Sequence, residues 1–371
     1  MVVKERSSSL RLYLATPFPP PSGGIANWTS VITNEISKHD KIEISTIDIS
    51  LKREARDRDL LDNFKGLIRI VKDASRCMSH KADHREDNAL LHICTSGGKG
   101  FIRDLLLICI AHRFDIPAVV HFHFGRIPEL LSTRCIESWL LRRVLNCADG
   151  LICMDMNTEL SLSINGYKRK TVLIPNPIDG GKFEANYQNK DDCVIFVGHV
   201  NKDKGVTDLV NSWSRLQDKL AGTKLKIVGP VQDDYTNVLC GLCPSGNLEL
   251  CGQLSHDEAM EEIARSKCLL LPSYTEGFPN VVLEAFALGT PVIASNVGAL
   301  PEILSGGAGL IIEPGDLDGI CDAILELLGS DSLRLKMAHV ARHKLDHFFT
   351  SSRVLAQLLV FWNSTTMNRH T

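Results

Sequence analysis

The sequence predicts an α/β protein made of two doubly wound domains. Three observations carry this. The 371-residue chain exceeds one ordinary domain, and two is the natural reading of that length. Short apolar, β-branched runs alternate with stretches of helical periodicity, the pattern of parallel sheets covered by helices. Near the middle, the turn-rich stretch Pro175-Asn176-Pro177-Ile178-Asp179-Gly180-Gly181 reads as an interdomain linker. The expected division is residues 1–178, residues 179–345, and a C-terminal helical segment at 346–371.

Taken in order, the first-half strands are expected at Leu10–Ala15, Glu43–Ile49, Ala89–Cys94, Ala118–Phe122, Gly150–Cys153 and Thr171–Ile174. Helices are expected at Asn27–Lys38, Phe101–Phe114 and Glu129–Asn146. Residues 51–88 are highly charged and poor in strand signals, and read as a helix plus a mobile loop. The second series of strands runs through Cys193–Gly198, Leu225–Gly229, Leu248–Cys251, Cys268–Pro272, Pro291–Ala294 and Gly309–Ile312. Two such halves joined by a linker leave a cleft between them. Ligands in these folds bind beyond the carboxyl ends of the strands, so the residues just after each strand are the functional candidates.

Composition narrows the class. The chain is 44% hydrophobic and 23% charged, as soluble globular proteins are. Its longest apolar runs, Leu105–Ala111 and Val354–Trp362, are too short to span a bilayer. The start, M-V-V-K-E-R-S-S-S, lacks the apolar core of a secretory signal, and a cytoplasmic setting is expected. The net charge of −3 conceals an asymmetry: residues 1–178 carry 25 Lys and Arg against 20 Asp and Glu, and the remainder 16 against 24. A basic first half suits an anionic partner such as a membrane surface or a lipid-phosphate acceptor, although solvated, scattered cations give the same count. Nothing points to nucleic acid. Most of the twelve cysteines fall in apolar segments, where free thiols behave as small hydrophobes. Cys240 and Cys243 form C-x-x-C with Cys251 as a third candidate, but no second pair or histidine stands at zinc spacing.

The most informative string is Y-T-E-G-F-P-N-V-V-L-E-A-F-A-L-G-T-P-V-I-A-S, Tyr274 to Ser295. It puts Glu276 in a loop and Glu284 in the helix that follows, with Gly277, Phe278, Pro279 and Asn280 at the helix entrance. A helix start offers backbone N–H groups and a positive dipole end to an anion. Carboxylates accept hydrogen bonds from sugar hydroxyls. The segment reads as a cradle for a sugar nucleotide.

This string resembles the donor-site motif of retaining glycosyltransferases of family 4, which have the GT-B fold: two Rossmann-like domains whose parallel sheets face each other across a donor and acceptor cleft. There, two Glu residues separated by seven positions enclose G-F-P-N, as Glu276 and Glu284 do here. The resemblance implies that Glu276 contacts the donor sugar and Glu284 the ribose. It covers Arg11 to Ile312, in order. Gly23 and Gly24, after the first strand, match a loop that meets the donor diphosphate and the acceptor. His123, in V-V-H-F-H-F-G, matches a histidine at the reacting centre, with His121 deeper and supporting. In F-V-G-H-V-N-K-D-K-G-V, Lys204 matches a lysine that neutralises the diphosphate. His199 stands where the family has Arg, with Lys202 as an alternative helper. Gly229, in L-K-I-V-G-P, and Leu254, in L-C-G-Q-L-S-H-D-E-A, match loops that hold the nucleobase. Ser295–Leu304 would pack behind the donor loop. T-S-G-G-K-G-F, at Thr95–Phe101, lacks the phosphate-loop order and reads as a strand-to-helix turn.

The implied reaction is retaining transfer of a hexose-type sugar from a UDP- or GDP-sugar to an acceptor hydroxyl. His123, Glu276 and Lys204 are the catalytic candidates. No cofactor beyond the nucleotide diphosphate sugar is expected, and no metal, because no D-x-D stands on an apolar strand; Asp191-Asp192 and Asp233-Asp234 are exposed-looking pairs. The implied partner is a lipid-linked saccharide or other glycan acceptor, with peripheral contact to an anionic membrane and a role in lipopolysaccharide or other surface polysaccharide assembly. Two alternatives stand beside this: a nucleotide-sugar 2-epimerase on the same fold, and a non-catalytic nucleotide-sugar binding partner.

Overall fold

The computed structural model describes residues 10–19, 23–50, 60–79, 88–167, 170–179, 183–188, 190–220, 222–231, 235–243 and 247–367. The basic cluster Lys52, Arg53, Arg56 and Arg58, the linker glycines Gly180 and Gly181, and the pair Asp233-Asp234 lie outside the described residues, as do parts of the expected loop in 51–88. The chain forms two compact units: residues up to Pro177 together with those from Ser351, and Ile178–Thr350.

The first unit holds six parallel strands: β1 (Leu10–Thr16), β2 (Ile42–Asp48), β3 (Ala89–Thr95), β4 (Ala118–Phe122), β5 (Gly150–Cys153) and β6 (Lys170–Leu173), in the order β2-β1-β3-β4-β5-β6. All residues of β3, β4 and β5 are buried, which explains their near-continuous apolar sequences. On one face pack α2 (Leu60–Ser79), α3 (Gly100–Arg113), α4 (Ile127–Ser132), α5 (Ile136–Cys147) and α6 (Met156–Ile164). The other face is covered by α1 (Gly24–Ile36) and the C-terminal α14 (Ser351–Met367), which contact each other.

One expected helix is two. Glu129–Asn146 was read as continuous, but the chain breaks between α4 and α5, with Thr133 extended at φ −100° and ψ 164°. The cause is local. The Ser132 hydroxyl donates to the Glu129 carbonyl and that of Thr133 to the Leu130 carbonyl, competing with helical continuation. The chain restarts at Cys135, whose Sγ accepts the Ser138 N–H at 3.4 Å.

The second unit also has six parallel strands: β7 (Asp191–Val197), β8 (Lys224–Val228), β9 (Leu248–Gly252), β10 (Ser266–Leu271), β11 (Val292–Ser295) and β12 (Leu310–Ile312). Their order is β12-β11-β10-β7-β8-β9. Between and after them lie α7 (Val206–Leu216), α8 (Tyr235–Leu242), α9 (His256–Arg265), α10 (Asn280–Ala287), α11 (Leu300–Leu304), α12 (Leu317–Gly329) and α13 (Asp331–Lys344). The strand order reverses between β7 and β10. The loops leaving those two neighbours diverge to opposite faces and open a crevice at their carboxyl ends. In the first unit the reversal falls between β1 and β3.

Candidate functional site

The crevice of the second unit holds a built polar pair. Lys204 follows β7 and Glu276 follows β10. Lys204 Nζ donates to Glu276 Oε1 at 2.7 Å, and Ser273 Oγ donates to the same oxygen at 2.7 Å. The Glu276 side chain is 9% exposed and that of Lys204 27%. Two glycines make the approach possible. Gly205 sits at φ +66°, and a Cβ there would lie 1.9 Å from the Pro272 carbonyl oxygen. Gly298, at φ +55°, would meet the Glu276 carbonyl oxygen at 2.4 Å, and Ala299 N–H donates to the Gly277 carbonyl. The Ser295–Leu304 segment therefore packs directly behind the Glu276 loop. Upstream, Asn201 caps a single 3-10 turn at Lys202–Lys204 by accepting the Lys204 N–H at 3.0 Å.

Gly277, Phe278, Pro279 and Asn280 form the entrance to α10, which no side-chain hydrogen bond caps. Phe278 itself is turned inward, its ring 6.0 Å from that of Phe349. Its side chain belongs to the core. Glu284, on the second turn, is largely buried and lies 3.2 Å from His256 Nε2, at the start of α9. His256 was not among the sequence candidates; its signal was its place in the motif, two residues past Leu254. Ser273, three residues before Glu276, was missed likewise. Gly229 abuts Gly198, where a Cβ would fall 1.8 Å from the Gly198 carbonyl oxygen. His199 is exposed at the end of β7.

In the first unit, Gly23 precedes α1 and Gly24 begins it. A Cβ at either meets nothing within 4 Å, so neither glycine is required by its own fold. The Gly97-Gly98 turn after β3 is internally occupied: Gly98 N–H donates to Glu137 Oε1 at 3.1 Å.

His123 follows β4 and lies in a cluster of rings. Its centroid is 4.0 Å from that of His121 and 5.3 Å from that of Trp28, and His92 stacks on Trp28 at 5.4 Å. Burial drives the pKa of His123 down to about 3. Burial, reinforced by His123, brings His92 to about 3 as well, and burial with both neighbouring imidazoles holds His121 well below the ordinary imidazole value. All three are therefore neutral near pH 7. Among the described residues, Nε2 of His92, Nε2 of His123 and both nitrogens of His121 lack hydrogen-bond partners.

His92, Cys94 and His121 place donor atoms within 4.8 Å of one another, which raises the question of a metal. The hydrogen bonding answers against it. Trp362 Nε1 donates to His92 Nδ1 at 3.0 Å. An indole only donates, so the neutral imidazole carries its proton on Nε2 and has no lone pair there for an ion. Metal-bound histidines show the reverse arrangement, with the second nitrogen donating.

Of the Cys240 and Cys243 pair, Cys240 is exposed, and Cys243 is buried and accepts from Gln217.

Residues 181–344 match the family model described as Glycosyl transferases group 1. The matched stretch lies within the unit that holds Lys204, Glu276 and Glu284. A glycogen synthase of Mycobacterium tuberculosis is 30% identical over 265 residues, 65% of this chain and 62% of that protein. A capsular polysaccharide biosynthesis glycosyltransferase of Staphylococcus aureus is 31% identical over 195 residues, half of each. The chain thus spans less than two thirds of these curated relatives. Among solved structures, Anabaena HepE in complex with UDP-glucose superposes with a TM-score of 0.70 at 14% identity, over 96% of this chain and all of that one. The fold is GT-B.

Proposed function

We propose that this group 1 protein transfers a hexose-type sugar from a UDP- or GDP-sugar to an acceptor hydroxyl, retaining the anomeric configuration and using no metal. The Lys204–Glu276 contact in the crevice of the group 1 domain carries the reading. Glu276 spends one carboxylate oxygen on Lys204 and Ser273, leaving Oε2 to accept from sugar hydroxyls. Lys204 spends one of three ammonium hydrogens, leaving two for a diphosphate. One pair thus addresses both sides of the bond to be broken. As that bond breaks, negative charge grows on the diphosphate and positive charge on the sugar ring. A preorganised cation beside the first and a carboxylate beside the second stabilise that state. Lys204 supplies the charge a metal would otherwise bring, with His199 or Lys202 as a helper at the diphosphate.

The backbone at Gly277–Asn280 and the dipole of α10 serve the phosphates, Glu284 the ribose, and the Gly229 and Leu254 loops the base. In the first unit, Gly23 and Gly24 offer backbone that a ligand can approach. His123 acts as a neutral hydrogen-bonding group. The relatives named as glycogen synthase and capsular polysaccharide glycosyltransferase support polysaccharide assembly as the setting. The acceptor we assign is a lipid-linked saccharide, met at the cytoplasmic face of a membrane, as in lipopolysaccharide assembly. Among the described residues no helix is long and apolar enough to cross one, so contact would be peripheral.

The test is nucleotide diphosphate release from a panel of UDP- and GDP-sugars, with and without glycan and lipid-linked acceptors and with metal chelated, beside Glu276→Ala. Release from one donor, absent in the variant, and an unchanged anomeric configuration in the product are the expected results. Release that persists in Glu276→Ala, or requires a metal, overturns the corresponding part.

A further inference from the structure

We infer that the first unit docks on an anionic lipid surface through the exposed faces of α2, α3 and α5. The inference rests on the proposed membrane-linked acceptor only for its biological setting; the surface itself is argued from the fold. α3 packs between α2 and α5 on one face of the sheet. α2 and α3 follow β2 and β3, and α5, reached from β4 through α4, runs back into β5, so all three start towards the carboxyl ends of the strands. Exposed apolar side chains gather in the first half of each: Phe64 and Ile68, Ile102 and Leu106, Ile136 and Trp139. Ile136 is 80% exposed, Phe64 63% and Trp139 55%. Single exposed apolar residues are ordinary, but a row across three adjacent helices marks an interaction surface.

The charge around this row selects the occupant. Lys65, Lys99, Arg134 and Arg143 are exposed there, and the Arg143 guanidinium lies 5.2 Å over the Trp139 ring. Among the described side chains in the first halves of these helices, the acids are Asp104, buried against Arg103, and Glu137, engaged by Arg126 and Gly98. Apolar side chains ringed by cations, with a tryptophan among them, fit the headgroup boundary of an anionic bilayer. A protein interface core, by contrast, is depleted of lysine.

The chain carries its own reporter. Of its four tryptophans, Trp28, Trp213 and Trp362 are fully buried and Trp139 is exposed. The full chain, without donor, is titrated with phosphatidylcholine vesicles and with vesicles containing phosphatidylglycerol, following tryptophan emission and co-sedimentation. We expect binding to the anionic vesicles with a blue shift that Trp139→Phe removes. Arg134→Glu with Arg143→Glu should weaken binding by more than about 25-fold, about fivefold for each cation lost. Ile136→Asp should weaken it at unchanged thermal stability, since that side chain is in water in the free protein. Equal binding to neutral and anionic vesicles, or none, overturns the inference. So does a dimer in gel filtration that these variants dissociate, which would make the face a contact between copies. Nucleotide release from the soluble donor separates the two proposals: turnover without vesicle binding removes only the docking surface, and binding without turnover removes only the transferase.

Discussion

The two units repeat one architecture, six parallel strands with helices on both faces, yet they treat charge in opposite ways at the ends of their strands. In the second unit the groups there are ionic: Lys204 against Glu276, and Glu284 beside His256. In the first unit, beside the ion pairs of Arg103 with Asp104 and Arg126 with Glu137, β3, β4 and the residue after β4 bring together three imidazoles, stripped of charge by burial and packed on Trp28. Under the proposed function the difference is a division of labour: the ionic pair would meet the charge of a sugar nucleotide, and His123, kept neutral by burial, would serve as an uncharged donor or acceptor.

The largest effect should come from breaking the ionic pair. Lys204→Ala and Glu276→Ala should each lower kcat/KM for donor turnover by about 10²–10³, the range for removing one preorganised partner of a developing charge. Because the two form one unit, the double variant should lose little more than either single one. Multiplicative losses in steady-state rates would show that they act separately.

The neutral cluster makes the opposite prediction, in stability. A histidine whose folded pKa lies below its unfolded value contributes stability above the unfolded value. That contribution is lost as pH falls toward the folded one. His92 and His123 fold with values of about 3 against an ordinary 6.5, so the window runs from about 6.5 down to about 3. Each such histidine should cost about 2 kcal/mol between about pH 6.5 and about pH 5. Urea unfolding followed by tryptophan emission should show this loss, with Trp28 and Trp362 reporting the first unit. His121→Gln should flatten the dependence by about one proton. An unchanged slope would mean that His121 is protonated in the folded state.

A glycine exchange sharpens the comparison further. Gly205 is demanded by its φ and by the Pro272 carbonyl, so Gly205→Ala should destabilise by about 1–3 kcal/mol and displace Lys204. Gly24 has open space, so Gly24→Ala should leave stability within about 1 kcal/mol, or raise it slightly in the first helical turn, while raising KM. Thermal melts beside donor and acceptor kinetics check both. A Gly24→Ala variant with unchanged kinetics would remove the α1 start from the site.

How legible this was in the sequence differs by kind of feature. Buried parallel strands announce themselves by continuous apolar runs, and β4 and β5 fall at the expected residues. The break at Thr133 was hidden because the apolar periodicity continues through it. It is set by two hydroxyls that bond backward, a choice that composition does not reveal. Glu276, Glu284 and Lys204 stood out as candidates through the family resemblance around G-F-P-N and K-G, but their pairing was not visible. Contact between positions 204 and 276 depends on β7 and β10 being neighbours, which is a property of strand order. The same holds for Ser273 and His256, short-range partners of visible acids that carry no signal of their own. Phe278 shows the converse: it belongs to the motif, yet its ring serves the core.

The smallest effect expected is at His256. Its Nε2 lies 3.2 Å from Glu284 Oε1, but the ring is 54% exposed. Water screens such a pair, and exposed contacts of this kind contribute about 0.2–1 kcal/mol. Its role would be to hold the Glu284 carboxylate at one angle for the ribose hydroxyls, a contact made equally in the ground and transition states. His256→Asn should therefore raise the donor KM by about two- to fivefold at unchanged kcat. The fold should be unaffected, because α9 keeps its capping box of Ser255 and Glu258. Steady-state kinetics with a single donor decides the matter. A fall in kcat would place His256 among the groups felt at the reacting bond, and the contrast between a screened ionic rim and a buried neutral cluster would lose one of its supports.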